Sequence, residues 1–366
     1  MKNFFPMTLS WYLIRHYLLN FAIILLGILG IVYLFDTVEL LRRAAKVEGM
    51  SLGLVLQMSM FKLPLVGQIV FPFAVLFSAI LTFWQLSRRH ELVIVRSSGL
   101  SVWQFITPIV LTALVIGAVN ITLINPLSAL LLAKYETLEN EYLEQKSSLV
   151  SLSDQGLWLR QEHEGGTAIL HSGHIKMPEW VLDNVMVFFF SANNDFLRRI
   201  DATSANLGTG EWTFNDAVVN KPKQPPEQAD LMTMATDLTV DELENSFSTP
   251  ETISIWKLPA FIKILEETGF DSTGLKIHFQ NLLAQPLLFM AMILLAASVS
   301  LRPPRLRGTS VLVMSGVLIG FIVFFASSFL QALGASQQIP IIVAAWFPAL
   351  ISFLLGIGAL MILEDG

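Results

Sequence analysis

The chain of 366 residues contains no cysteine. That excludes disulfides, thiolate metal sites and a cysteine nucleophile, and it leaves the redox compartment open. Charge is scarce as well: 14% of residues are charged and 54% are hydrophobic, against roughly 25% charged in an ordinary soluble chain. Mean hydropathy is +0.61. A soluble globule cannot bury that much apolar surface, and the same composition excludes disorder, collagen and coiled coil. Catalytic signatures are missing too. Lysine precedes serine only at Lys146-Ser147, with no glycine upstream in that stretch, so no G-x-x-x-x-G-K-[ST] occurs. The chain is therefore not expected to bind and hydrolyse ATP itself. H-E-x-x-H is not present either, and an enzyme is the poorest reading. No cofactor is expected.

What is present is a set of apolar runs. A bilayer core of about 30 Å needs about 20 apolar helical residues. Six segments qualify, at approximately 18–35, 63–86, 102–124, 279–300, 311–330 and 341–363. Their interiors contain no Lys, Arg, Asp or Glu, so a proton or sodium relay has nothing to run on. The first run is too long for a signal-peptide core, and no A-x-A-like site follows it. Trp11, Tyr12, Arg15, His16 and Tyr17 precede it; these residue types predict a short helix lying at the headgroups before the chain turns in.

Basic residues in the short loops set an orientation. Lys2, Arg15, Arg88, Arg89, Arg96, Arg302, Arg305 and Arg307 fall on one side, and Arg42, Arg43, Lys46 and Lys62 on the other. The heavier side is expected to face the cytoplasm, with both termini inside. Residues 127–276 hold 11 Lys+Arg and 23 Asp+Glu, a net of −12, whereas the remainder is +6. The acidic middle is thus an outward, water-facing insert and a poor partner for nucleic acid. The expected organisation is 1–126 with three spans, 127–275 as the insert with flanking helices, and 276–366 with three more spans.

Between about Gly156 and Val240 the insert reads as strands. Glu164-Gly165-Gly166 marks a hairpin, Asn193-Asn194-Asp195 and Gly208-Thr209-Gly210 mark further turns, and Pro222, Pro225 and Pro226 interrupt the pattern. Short strands at this spacing predict a sandwich or open barrel. Helical stretches are expected at 127–146 and at 258–269, the latter with Pro259 in its first turn and Gly269 as its stop. His171 and His174, with His163 nearby, form an H-x-x-H in a strand context. Without a third ligand in register they read as surface histidines rather than a metal site.

The loop between spans two and three runs from Ser87 to Ser101 and holds Arg88, Arg89 and Glu91. Residues 90–96 fit one or two helical turns with Gly99 as the stop. Glu91 near the start suits the helix dipole, and it also suits a docking helix gripped by a cytosolic motor through an arginine of the partner. Arg42, Arg43, Lys46 and Lys62 suit headgroup anchoring and equally a basic ring for phosphates. Gly27 and Gly30 in span one, and Gly316 and Gly320 in span five, allow close helix packing, within the chain or against another. Pro64, Pro72, Pro286 and Pro348 offer places to bend. Phe324, Phe325 and Phe329 face either an acyl cavity or lipid.

Several segments carry a resemblance. E-L-V-I-V-R-S-S-G-L-S at Glu91 to Ser101 resembles the E-L-x-x-x-R/Q-x-x-G pattern of the lipopolysaccharide export permease family, LptF/LptG. Val70-Phe71-Pro72-Phe73-Ala74 resembles the family's F-P-x-A segment, and Gln155 to Trp158 its Q-G-L-W. Leu258 to Gly269 is similar to the family's helix before span four. Q-G-L-W and that helix lean towards LptG over LptF.

The resemblance covers essentially the whole chain. It implies a polytopic α-helical protein of the Gram-negative inner membrane with six transmembrane helices and an all-β, jellyroll-like periplasmic domain between helices 3 and 4. It further implies an ABC-type exporter half. The implied partners are an LptF-like permease subunit, an LptB-like ATPase dimer that hydrolyses the ATP, an LptC-like single-span protein and a periplasmic LptA-like bridge, with lipopolysaccharide as cargo. Glu91, Arg88 and Arg89 would couple to the ATPase. Arg42, Arg43, Lys46 and Lys62 would meet lipid A phosphates. Gly27, Gly30, Gly316 and Gly320 would form a lateral gate with the partner. Relatives often carry a lysine inside span one and another just after the span-two proline; here those places hold Tyr33 and Leu65. A non-transporting membrane scaffold with a partner-binding β-domain is the alternative, and it would need no docking helix.

Overall fold

The computed structural model describes residues 7–47, 50–91, 94, 97, 101–144, 149–153, 156–163, 166–176, 181–192, 195–208, 210–236, 250–268, 271–301 and 309–365. Lys2, Arg96, Gly99, Arg302, Arg305 and Arg307 lie outside them, as do Gln155, Glu164, Gly165, Asn193, Asn194, Thr209, Gly269 and residues 237–240. The chain divides into two compact units. The first comprises Met1–Glu136, Ser254–Trp256 and Thr273–Gly366, and the second Thr137–Ile253 and Lys257–Ser272.

The first unit is helical, and among the described residues six helices are long and apolar enough to cross a membrane. They are α1 (Met7–Ala44), α2 (Leu52–Arg88), α3 (Val102–Val119) with its continuation α4 (Asn125–Glu139), α6 (Thr273–Ser300), α7 (Thr309–Ala335) and α8 (Ile341–Asp365). α5 (Leu258–Thr268) belongs to the second unit. One expectation needs correcting. The separate headgroup helix before span one does not exist, because α1 runs without a break from Met7 to Ala44. No glycine or proline stands between Leu9 and Leu19 to end it, so helix propagation continues.

α6 is the central helix and packs against α8, α2, α3 and α7. Small residues let backbones approach there. Ala291, Ala296 and Ala297 are fully buried, and a Cβ on Gly117 would sit 2.6 Å from Cα of Pro286. Aromatic rings join helices across the core, with Phe21 to Phe71 at 5.8 Å and Phe71 to Phe289 at 6.1 Å. Polar side chains buried among the helices find one another. Asn20 Nδ2 donates to Thr82 Oγ1 at 2.9 Å and to Gln85 Oε1 at 3.1 Å, which ties α1 to α2. A π-helical turn at Asn120–Ile124 joins α3 to α4, and Asn120 Nδ2 donates to Gln285 Oε1 at 2.6 Å. In lipid such groups have no water to turn to, so these pairs fix helix register.

The second unit is a seven-stranded antiparallel sheet with strands paired in chain order. β1 is Leu149–Ser153, β2 Gly156–His163, β3 Gly166–Lys176, β4 Val181–Phe190, β5 Phe196–Leu207, β6 Glu211–Asn220 and β7 Glu227–Ala235. β1 was not expected from the sequence, and β7 starts directly after Pro226. One face is dry: Leu159, Leu170, Val187, Ile200 and Val219 form a buried row across five strands. The alternation slips at Asn184 (φ 52°) and Asp216 (φ 51°), which adopt the left-handed conformation while Val185 and Ala217 return inward; the pairing register is kept across both, and it shifts instead between Phe189 and Phe190. Asn and Asp tolerate that backbone. The two ends of the sheet approach each other, for Thr236 Oγ1 donates to Gln161 Oε1 at 3.0 Å although β2 and β7 are not paired. Trp212 and Phe214 are buried at its core, and where the spacing predicted a sandwich or open barrel the strands form one sheet built as a plain meander.

Candidate functional site

Two groups of residues expected to act lie at opposite ends of α2. At its C-terminal end the helix stops at Arg88, and Arg89 caps it by donating its backbone N–H to the Gln85 carbonyl at 3.0 Å. His90 then adopts a left-handed conformation, φ 58°, and reverses the chain. Glu91, Ile94 and Ser97 are helical, and the Ile94 N–H donates to the His90 carbonyl at 3.2 Å. This places a helical turn where the sequence expected one. Ile94 is 66% exposed, an unusual state for isoleucine outside an apolar solvent.

Glu91 does not point into empty space. The Tyr12 hydroxyl donates to its Oε2 at 3.0 Å and to Oε1 at 3.3 Å, and Arg89 Nη1 lies 4.0 Å from Oε1. Arg88 stacks over Trp84, 5.3 Å from the ring centroid. Of the expected coupling residues, the structure therefore joins Glu91 and Arg89 and holds Arg88 apart on α2. Tyr12 was read only as an interfacial aromatic.

At the other end, the α1–α2 hairpin carries the four expected cations, and Arg42 and Lys62 are paired there with acids the loop counts ignored. Arg42 forms a fork with Glu39, at 2.7 Å and 3.0 Å, and both side chains are exposed. Arg42 and Arg43 occupy the last turn of α1, where cations complement the helix dipole. Lys46 is exposed just beyond. Lys62 lies apart from these on α2: its ammonium donates to Asp36 Oδ1 at 2.7 Å and faces the Tyr135 ring at 5.5 Å. Asp36 precedes Arg42 by six residues, about 9 Å along a helix, so the basic group has two levels rather than one ring. Asp36 Oδ2 is buried with no partner among the described residues. The signal for these acids was available, since Asp36, Glu39, Glu48 and Glu91 are the only carboxylates in the first 126 residues.

The glycines separate. Gly27 and Gly30 face open space, whereas a Cβ on Gly316 would meet Ile80 and one on Gly320 would meet Phe73 and Leu76. The α7 pair is thus occupied by α2 of the same chain. On α7, Phe321, Phe325 and Phe329 stack in an exposed ladder, and Phe324 packs on Phe73 at 5.7 Å. An apolar cleft of about 840 Å³, lined by Ile14, Leu18 and Phe21 of α1, Phe71 of α2, and Leu111 and Val115 of α3 among others, was not legible in the sequence. In the β-domain the His171 ring packs on Trp158 at 4.3 Å and His163 on Phe189 at 5.2 Å. Among the described residues no three His, Cys, Asp or Glu side chains converge.

Six apolar helices among the described residues, with an antiparallel β-domain between the third and the fourth, define a multi-pass membrane protein. The chain belongs to the lipopolysaccharide export system permease LptF/LptG family, whose model matches residues 11–362. Its similarity is to the LptG side. It is 27% identical over 310 residues to the lipopolysaccharide export system permease protein LptG of Escherichia coli K12, covering 80% of this chain and 81% of that protein. It is 25% identical over 295 residues to LptG of Haemophilus influenzae, covering 77% and 78%. The protein is a multi-pass inner-membrane permease component of lipopolysaccharide export.

Proposed function

We propose that this chain is one permease half of an ABC-type exporter that lifts lipopolysaccharide out of the inner membrane and passes it to a periplasmic bridge, with ATP hydrolysed on a separate subunit. The observation that carries this reading is the helical turn on which Glu91 and Ile94 stand. It offers a carboxylate and an exposed isoleucine at a helix end, in a chain with no phosphate-binding loop of its own. An LptB-like ATPase pair would grip this turn. An LptF-like permease would pack on α1 and α7, the least covered of the six helices, and an LptC-like single span would join at the side. The hairpin cations would receive lipid A phosphates while the acyl chains stay among uncharged side chains. The test is purification of the tagged chain in mild detergent and identification of its companions. An ATPase and a second permease are expected; a chain that brings down only periplasmic proteins would be a scaffold.

The reading requires both termini and the Glu91 turn in the cytoplasm and the β-domain in the periplasm. With the outer membrane permeabilised, Lys223→Cys should react with a membrane-impermeant thiol reagent and Ser87→Cys should not. The opposite labelling would overturn the orientation and the extraction direction together.

A further inference from the structure

α1 reaches the Glu91 turn from outside the α2–α3 connection. Two helices therefore meet one carboxylate: α2 leads to it covalently through Arg88, Arg89 and His90, and α1 touches it through the Tyr12 hydroxyl. α1 is unbroken from there to Ala44. Tyr12 to Arg42 is thirty residues, about 45 Å of continuous helix. Eight residues beyond Tyr12, Asn20 grips Thr82 and Gln85 of α2, and sixteen residues further Asp36 grips Lys62. α1 is thus joined to α2 by polar contacts at Asn20, Tyr33 and Asp36, and at Tyr12 to the docking turn itself. The left-handed backbone at His90 is what turns Glu91 back towards α1. A non-glycine residue held there is a constraint maintained by its surroundings.

We propose that Tyr12 is a positioning residue of the export cycle: its hydrogen bond to Glu91 makes α1 follow the docking turn, so that a displacement imposed on Glu91 reaches the α1–α2 hairpin through both helices. This rests on the reading of that turn as the ATPase dock. The two roles of Glu91 are separable by chemistry. Docking to a cationic partner uses its charge. Steering α1 uses only an acceptor oxygen for the tyrosine, which an amide also supplies.

Tyr12→Phe removes one hydroxyl and keeps a ring beside His16, with which it stacks at 6.0 Å. In the complex purified through the tagged chain and placed in liposomes, Tyr12→Phe should retain the ATPase in wild-type amount and sustain hydrolysis. Lipopolysaccharide released per ATP hydrolysed should fall about fivefold or more, the range of ordinary coupling effects. Glu91→Gln should instead reduce the ATPase retained on the complex. Tyr12→Phe with wild-type release per ATP overturns the inference and leaves the dock standing. Tyr12→Phe that sheds the ATPase also overturns it, because the hydroxyl would then be holding the turn folded rather than moving α1. Full ATPase retention by both Glu91→Gln and Glu91→Ala sinks the docking reading and this inference with it.

Discussion

Replacing Lys62 by methionine lowers the thermal stability of the purified protein by on the order of 2 kcal/mol, and replacing Asp36 by leucine at the same time restores most of the loss. The reason is the asymmetry of a partly buried ion pair. Asp36 is 16% exposed, its Oδ1 is held by the Lys62 ammonium at 2.7 Å, and its other oxygen has no partner among the described residues. Removing the cation strands the carboxylate, and breaking one side of a fully buried pair costs about 3–5 kcal/mol. Lys62 is about a third exposed, which places the effect below that range. Removing both partners leaves two apolar side chains in a largely apolar setting, and such swaps are often neutral. Heating aliquots and following the monodisperse fraction by size-exclusion fluorescence measures this. A single variant as stable as wild type would show that the pair is solvated and contributes nothing. The pair also bears on the cargo. Asp36 already offsets the Lys62 charge, so the contribution of Lys62 to lipid binding is smaller than that of an unpaired cation.

Reversing the charge at the tip of the hairpin should have the larger effect on cargo. With Arg42→Glu and Arg43→Glu together, lipopolysaccharide captured by a photocrosslinker at a neighbouring hairpin position should fall roughly tenfold, since like charges placed against each other are strongly unfavourable. The double alanine variant should fall less. Arg42 already shares its guanidinium with Glu39, so Arg42→Ala alone should be nearly silent. The stability of the charge-reversed protein serves as the control, because two cations in the last turn of α1 are also replaced at the negative end of the helix dipole. If the folded double glutamate variant crosslinks as well as wild type, Arg42 and Arg43 are membrane anchors and lipid A is held elsewhere.

The six helices were legible because lipid imposes a one-dimensional rule: about twenty apolar residues without a charge must cross as a helix. The β-domain was legible from turn residues and alternation, and Gly208 and Gly210 do bracket the β5–β6 turn, with the Gly208 N–H donating to the Glu211 carbonyl and Gly210 at φ 83°. β1 escaped because Leu149 to Ser153 is only five residues long and follows a helical run without a turn signal of its own. The meander, with its changes of parity at Asn184 and Asp216, escaped because a parity slip in one strand has meaning only when the neighbouring strands slip beside it. Position along the chain also located Glu91, Arg42, Arg43, Lys46 and Lys62, but it paired none of them. Tyr12 meets Glu91 across 79 residues and Lys62 meets Asp36 across 26. Gly316 and Gly320 carry the same small-residue spacing whichever helix they face, and only packing gave them to Ile80 and Phe73 of the same chain. Composition and periodicity are properties of a segment, so the sequence by itself determined what each segment becomes and which solvent it needs. Which charge neutralises which, and which helix a carboxylate touches, depends on side chains brought together from distant segments, and that was decided only by the tertiary structure.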